Sequence, residues 1–445
     1  MLSFFKPPSL LTRSFQGLCV GTFAIAVGLF LLWNYFIFMG ALESLHVGGS
    51  NDFSRFYHAT LGSLNGKSLY DPNPATPAQL SETLGQHMWD LNPPHFHFLF
   101  LPLAKLPIEH AYLIWEVINL TALLVSVRFI SRTIAPNITI PQSVVVVGGL
   151  LMFTGTGLLL RSAQISFLLL LPLTLAWIRG RENNWRMAGF YLGICASVKP
   201  FLLIFVPYFL LRKRFSALQN FVGIFAGIFF LGILVFGIEA HRDWIQTLSS
   251  VNWYWVGSNL SILGFLTRTF GESPNFALLT YEPNLMVPFW IVLSGFIGFV
   301  TLLAISFDHT PQAADRAFAL LLLAALLISP LGWTYYLFFV FAPLCSLTMN
   351  WWPQLRRTSH QNNNSWRVHV RKLMLFAAIP GLIVPMYCVT WLQPHPLATI
   401  SIGSIYFWST LFLWTSLMFD WQIENREVGA LFFFKENAAT PQSIS

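Results

Sequence analysis

Long apolar runs separated by short polar clusters recur along the whole of this chain. By length they divide into twelve candidate spans, at about residues 16–40, 110–130, 143–160, 164–178, 187–198, 200–212, 217–237, 285–306, 316–329, 333–350, 373–392 and 399–419. Several reach the ~20 residues that a helix needs to cross a bilayer core. Others are short, notably the pair that meets at Lys199-Pro200. A short pair joined at proline suggests helices that break at one membrane face, around a buried polar site. Two stretches depart from the pattern. Over residues 52–64, Phe53, Phe56, Tyr57, Leu61 and Leu64 recur at near-helical spacing among polar residues, which predicts an amphipathic helix on the membrane surface. Residues 93–107, PPHFHFLFLPLAKLP, are apolar but short and proline-broken. They are expected to be interfacial or re-entrant rather than to cross.

Composition agrees with a polytopic membrane protein. Of 445 residues, 55% are hydrophobic and 10% charged, against about 25% charged in soluble domains. The expected architecture is all-α, one multi-span domain covering residues 1–445. Residues 17–40 exceed a signal-peptide core and no small-residue cleavage site follows, so they read as a retained first span. The four cysteines, Cys19, Cys195, Cys345 and Cys388, lie in apolar stretches without a C-x-x-C pair, and imply neither a disulfide framework nor a zinc site.

The net charge of +7 bears on orientation. Arg128 and Arg132, Arg179, Arg181 and Arg186, Arg212–Arg214, and the basic loop 351–372 all fall on one side if the number of spans is even, together with both termini. That side is expected to be cytoplasmic, because lysine and arginine collect there. The opposite side receives a first outer loop at 41–109, a second at 238–284, the Arg161–Gln164 turn, Lys199-Pro200 and the turn after Ser329-Pro330. No soluble basic run is interleaved with aromatics, so no nucleic-acid partner is expected.

Five constellations lie on that outer side. Asp52 follows Asn51, and either suits the N-cap of the predicted surface helix. As more than a cap, Asp52 is a carboxylate at the lipid–water boundary, able to take a proton from a hydroxyl. Tyr57 and His58 follow on the same helix. Arg161 and Gln164 sit in a turn between spans, as a snorkelling cation and a cap or as a phosphate-binding pair. Lys199 lies where two short helices break, without an acidic neighbour in sequence. An ionisable group near membrane depth calls for a named partner, and an anionic lipid phosphate fits. The segment Asn259–Arg268 follows Trp253, Tyr254 and Trp255, and Ser329-Pro330 places Trp333, Tyr335 and Tyr336 just inside the outer face. These aromatics suit an interfacial belt or the apolar faces of sugar rings. Bland roles would scatter such residues over both faces; here they share one.

The pattern Asp52-Phe-x-x-Phe-Tyr-x-Ala with the later Gly66-Lys-x-Leu-Tyr-Asp resembles the first outer loop of glycosyltransferase family 87. Asn92-Pro93-Pro94, Pro102-Leu103-Ala104, the residues around Gln164, Lys199-Pro200 with Arg212–Arg214, Asn259–Arg268 and Ser329-Pro330-x-x-Trp333 follow in the family's order, over about residues 50–345. The resemblance implies a GT-C fold, many transmembrane helices with the active site at their outer ends, and makes Asp52 the base. One departure stands out: Tyr335 occupies a place where many members have histidine. The implied reaction moves a hexose, mannose before others, from a polyprenyl-phosphate sugar to a lipid-linked or glycan acceptor. Lys199, Arg161 and Arg268 are the candidate donor-phosphate ligands, and Gln164, Tyr57, His58, Asn259, Trp333, Tyr335 and Tyr336 the candidate substrate contacts. One base and no enzyme nucleophile would give inversion at the anomeric carbon. Without a D-x-D or histidine-rich set, neither metal nor other cofactor is expected. The implied location is the bacterial plasma membrane, with the site facing outward. The rival class is a transporter or flippase of a lipid-linked sugar, which should show internal repeats; none is visible.

Overall fold

The structure, a computed structural model, describes residues 51–70, 90–138, 153–356, 365–384 and 395–438, with scattered positions elsewhere. Of Arg161, 350–356, 365 and 424–438 it describes the backbone alone. The described residues are helical, without a strand. Helix α1 is Asp52–Leu64, α2 Ile108–Ile134, α3 Thr154–Ser162, α4 Ser166–Arg181, α5 Trp185–Val198, α6 Phe205–Leu211 and α7 Phe215–Ser249. After them come α8 Ile262–Phe270, α9 Pro283–Ser306, α10 Ala313–Ile328, α11 Phe341–Arg356, α12 Ser365–Ile383, α13 Pro396–Ile400 and α14 Ile405–Ala438. Short 3₁₀ turns cover Pro94–Leu99, Leu103–Lys105, Pro200–Ile204, Thr334–Val340 and Ile402–Ser404.

Among the described residues, four segments are long and apolar enough to cross a membrane, namely α2, α7, α9 and Pro396–Ile423. The chain is therefore an all-α, multi-pass membrane protein. Several other expected spans are shorter helices: α4 has 16 residues, a rise of about 24 Å against a core of about 30 Å. Most of the expected span 16–40 and parts of 143–160 and 373–392 fall outside the described residues. Residues 93–107 form the two 3₁₀ turns just named, the first packed against α7. Helix α7 is regular up to Gly237, whose φ of 80° and ψ of 166° break it; the apolar run ends at the same residue.

Position explains which helices are apolar all round. On α9, Val287, Ile291, Val292, Phe296 and Phe299 are exposed, as on a lipid-facing surface. Every residue of α10 from Asp315 to Leu327 is buried instead, with α4, α9, α11 and α14 around it. Helix α10 is the central post.

Helices α4 and α10 run antiparallel and define two poles. At one, Arg181 at the end of α4 pairs with Asp315 at the start of α10 at 3.1 Å, and Trp177 Nε1 and Ser346 Oγ donate to the same carboxylate at 2.7 and 2.6 Å. Close by in sequence, Arg316 binds Asp308 at 2.5 Å and Asp420 at 2.8 Å, and Arg371 binds Asp420 at 2.7 Å, all four buried. At the other pole lie the start of α4, the end of α10 at Ser329-Pro330 and the first turn of α1.

Candidate active site

Helix α1 begins where a polar pair meets an apolar stripe, and the cap falls to Asn51. Its Oδ1 accepts from Ser54 N at 2.8 Å, which leaves the Asp52 side chain free for other partners. Both its oxygens are engaged. Arg55 Nη1 donates to Oδ1 at 3.1 Å, and Gln164 Nε2 donates to Oδ2. Arg55 is an i+3 neighbour on the same helix, a spacing at which opposite charges meet. Gln164 arrives from the α3–α4 turn, where Ala163 adopts φ 51° and ψ 45°. Trp115 Nε1 on α2 donates to Ala163 O at 2.7 Å and pins that turn. The Asp52 side chain keeps about a fifth of its surface, 21%. It is thus oriented, paired with a cation and still reachable.

Lys199 caps α5 at the break before Pro200 and is buried. Its Nζ donates to Asn92 Oδ1 at 2.8 Å and lies 5.4 Å from the centre of the Tyr336 ring. An ammonium has three N–H donors; among the described residues this one makes a single hydrogen bond.

An aromatic ladder starts at Lys199. The Tyr336 and Tyr335 rings meet edge to face at 4.7 Å, Tyr335 stacks on Trp333 at 6.1 Å, and Trp333 on Trp253 at 5.8 Å. Tyr335 lies within electrostatic reach of both Asp52 and Arg55. The ladder is set by a close approach of α3: a Cβ on Gly155 would meet Tyr335 Cα at 2.8 Å and Thr334 O at 3.0 Å. Asp52 and Gln164 form one contact set, Lys199, Tyr336 and Tyr335 a second, and Tyr335 is where the second comes within electrostatic reach of the first.

The remaining candidates are placed differently. Asn259 is buried with its side chain fully used: it donates to Tyr254 O and Pro330 O at 3.0 and 2.9 Å and accepts from Ser261 N and Gly332 N at 3.1 and 3.0 Å. An isolated β-bridge also joins it to Trp333. Arg268, buried, donates to Val256 O, Asn259 O and Ser404 Oγ at 3.1, 2.9 and 3.2 Å. Burial pushes its guanidinium down to about 9. Asn259 braces the loop that carries Trp333, and Arg268 braces the segment 256–259 beside it; among the described residues neither hydrogen-bonds to Lys199. Tyr57 points away from Asp52, its hydroxyl donating to Leu106 O at 2.6 Å, with the His58 ring 5.2 Å from it. Burial lowers the pKa of His58. Arg161 lies in the last turn of α3, and its side chain falls outside the described residues.

Two participants escaped the sequence reading. Arg55 was visible as the i+3 partner of Asp52. Asn92 read only as the residue before Pro93-Pro94, and nothing local pairs it with Lys199. Among the described residues no three histidine, cysteine, aspartate or glutamate side chains cluster as metal ligands.

A carboxylate and a buried ammonium thus lie at one pole of a helical membrane domain, with aromatic side chains beside them. Residues 91–330 match glycosyltransferase family 87, more than half of the chain, and the chain belongs to that family. It is a membrane glycosyltransferase. It is 26% identical, over 344 residues covering 74% of this chain and 71% of the relative, to the polyprenol-phosphate-mannose-dependent alpha-(1-2)-phosphatidylinositol pentamannoside mannosyltransferase of Mycobacterium tuberculosis (strain CDC 1551 / Oshkosh). No solved structure matches the chain. The family match begins beyond Asp52, so the place of that residue rests on its contacts.

Proposed function

We propose that the protein moves a hexose, mannose before others, from a polyprenyl-phosphate sugar to a lipid-linked or glycan acceptor. The observation that carries this reading is the placement of Asp52 and Lys199 at one pole, with Tyr336 against Lys199, Tyr335 against Tyr336, and Tyr335 within electrostatic reach of Asp52. The name of the mycobacterial relative supports the donor class and the sugar. The acceptor hydroxyl oxygen attacks the anomeric carbon as the bond from that carbon to the phosphate oxygen breaks. Asp52 takes the hydroxyl proton, and the electron pair of the broken bond leaves with the phosphate. Fixed donors aimed at that developing charge stabilise the transition state. Lys199 is the first such donor, and Arg161 is a second from the end of α3. With one carboxylate at the point of attack, a single displacement inverts the anomeric centre. An apolar cleft lined by Phe153, Leu337, Phe338, Phe341, Leu382 and Leu413 includes the residues that follow Tyr336 in the chain and suits isoprene units of the donor. The arginine-bearing pole, with Arg181 and Arg316, lies opposite the site. This supports cytoplasmic termini and a site on the outer face of a bacterial plasma membrane. About twelve spans in a GT-C arrangement complete the proposal, with outer loops at 41–109 and 238–284 and a basic inner loop at 351–372.

The test is sugar transfer from a synthetic farnesyl-phosphate mannose by wild type and Asp52→Asn. General-base action predicts a fall of about 100-fold or more with helicity retained. An Asn variant that transfers at a near-normal rate removes Asp52 from the role.

A further inference from the structure

Behind Lys199 a line of buried polar side chains runs back to α1. Asn92 stands between Lys199 and Asp90: its Oδ1 accepts from Lys199 Nζ at 2.8 Å, while its Nδ2 and backbone N both donate to Asp90 Oδ1 at 2.9 Å. Only one orientation of the amide satisfies an ammonium on one side and a carboxylate on the other, so the assignment of its O and N follows from its partners. Tyr70 Oη donates to Asn92 O at 2.6 Å and fixes the backbone. The far oxygen of Asp90 approaches His97 Nε2 at 3.2 Å, without the alignment of a hydrogen bond. His97 Nδ1 lies 2.8 Å from Thr60 Oγ1 on α1, the helix whose first turn holds Asp52. Asn92, His97, Thr60 and Lys199 are all buried, and the Asp90 side chain keeps 4% of its surface.

We propose that Asp90 is a positioning residue, acting through Asn92 to hold the Lys199 ammonium ready for an anionic phosphate group. This rests on the reading of Lys199 as the phosphate-binding cation. A buried cation without a counter-charge is costly. A carboxylate in direct contact would remove that cost, but would also occupy the donors and compete with the ligand. An interposed amide does neither: it passes the carboxylate's field to Lys199 while using one of the three N–H donors. Burial works to raise the Asp90 carboxyl, yet His97 and the Asn92 donors outweigh it and hold the group below the usual carboxylate range, so it carries its charge.

The experiment measures binding of farnesyl phosphate to the full-length protein in detergent, with uncharged farnesol as the control, and the KM and kcat of transfer. Asp90→Asn removes the remote charge and keeps a side chain of the same shape. Asn92→Ala removes the amide and leaves Asp90 and Lys199 in place. Each is expected to weaken farnesyl phosphate by about tenfold, to leave farnesol unchanged, and to raise donor KM more than it lowers kcat. Asn92→Ala is the arm that remains if Asp90→Asn does not fold, since it keeps both outer partners and removes only the side chain between them. Wild-type affinity for farnesyl phosphate in Asn92→Ala, or in a folded Asp90→Asn, overturns the relay. Lys199→Gln separates the two ideas. If it loses farnesyl phosphate while the other variants keep it, the relay alone fails; if it binds like wild type, the phosphate reading of Lys199 fails and the relay with it.

Discussion

Asp52 has both oxygens occupied, one by a cation on its own helix and one by an amide from the next turn. Those two donors decide what substitutions around it do. Gln164→Leu removes one hydrogen bond and leaves Arg55 in place. Gln164→Glu sets a like charge against Asp52, which favours a shared proton and removes the free base. Transfer is expected to fall about tenfold in the first and about 100-fold or more in the second; the opposite order, in initial rates at saturating donor, contradicts the assignment. Tyr336 yields a second test. Tyr336→Phe keeps a ring beneath Lys199, so donor KM should stay near wild type. Tyr336→Leu removes a cation–π contact of about 0.5–2 kcal/mol and should raise KM by about twofold to thirtyfold. Asp52, Gln164, Lys199, Tyr335 and Tyr336 were legible in the sequence as polar and aromatic residues assigned to one membrane face. Asn92 was not, because its partner lies 107 residues away and an asparagine before proline reads as a turn. Nor did sequence separate Asn51 from Asp52 as the cap, since the two side chains cap equally well.

The elements that hold these residues are short and locally irregular, and that is where the chain is least tolerant. Gly155 lets the first turn of α3 lie on the backbone of Thr334 and Tyr335. Gly155→Ala brings a methyl carbon to 2.8 Å of Tyr335 Cα, and because the obstacle is backbone, the 3₁₀ turn has to move. The expected result is a lower thermal midpoint and a loss of transfer larger than the loss of fold, since the moved segment carries Tyr335 and Tyr336. Gly155→Ala with wild-type rate and midpoint would contradict this packing. Hydropathy anticipated α1 from its apolar spacing and the break in α7 at the end of its run. It failed to separate helices apolar because lipid surrounds them, such as α9, from α10, apolar because protein does. Both give the same uninterrupted run, which is why counting runs yields more spans than helices of crossing length.

At the scale of the molecule, chemistry and anchorage occupy different ends. The pole opposite Asp52 holds Arg316, Arg371, Asp308 and Asp420 buried in mutual contact. Removing one member of a buried ion pair strands its partner at about 3–5 kcal/mol, whereas replacing an opposite pair by apolar side chains is often neutral or stabilising. Asp420→Asn should therefore lower the thermal midpoint markedly. The double variant Arg371→Met, Asp420→Leu, which leaves Arg316 with Asp308, should recover most of the loss. In both, the transfer rate per folded molecule should match wild type, because none of these side chains touches the group around Asp52 and Lys199. Rates normalised to the folded fraction check this. If Asp420→Asn keeps its midpoint but loses transfer, the two poles are coupled through α10, the helix that runs between them, and the division of labour fails.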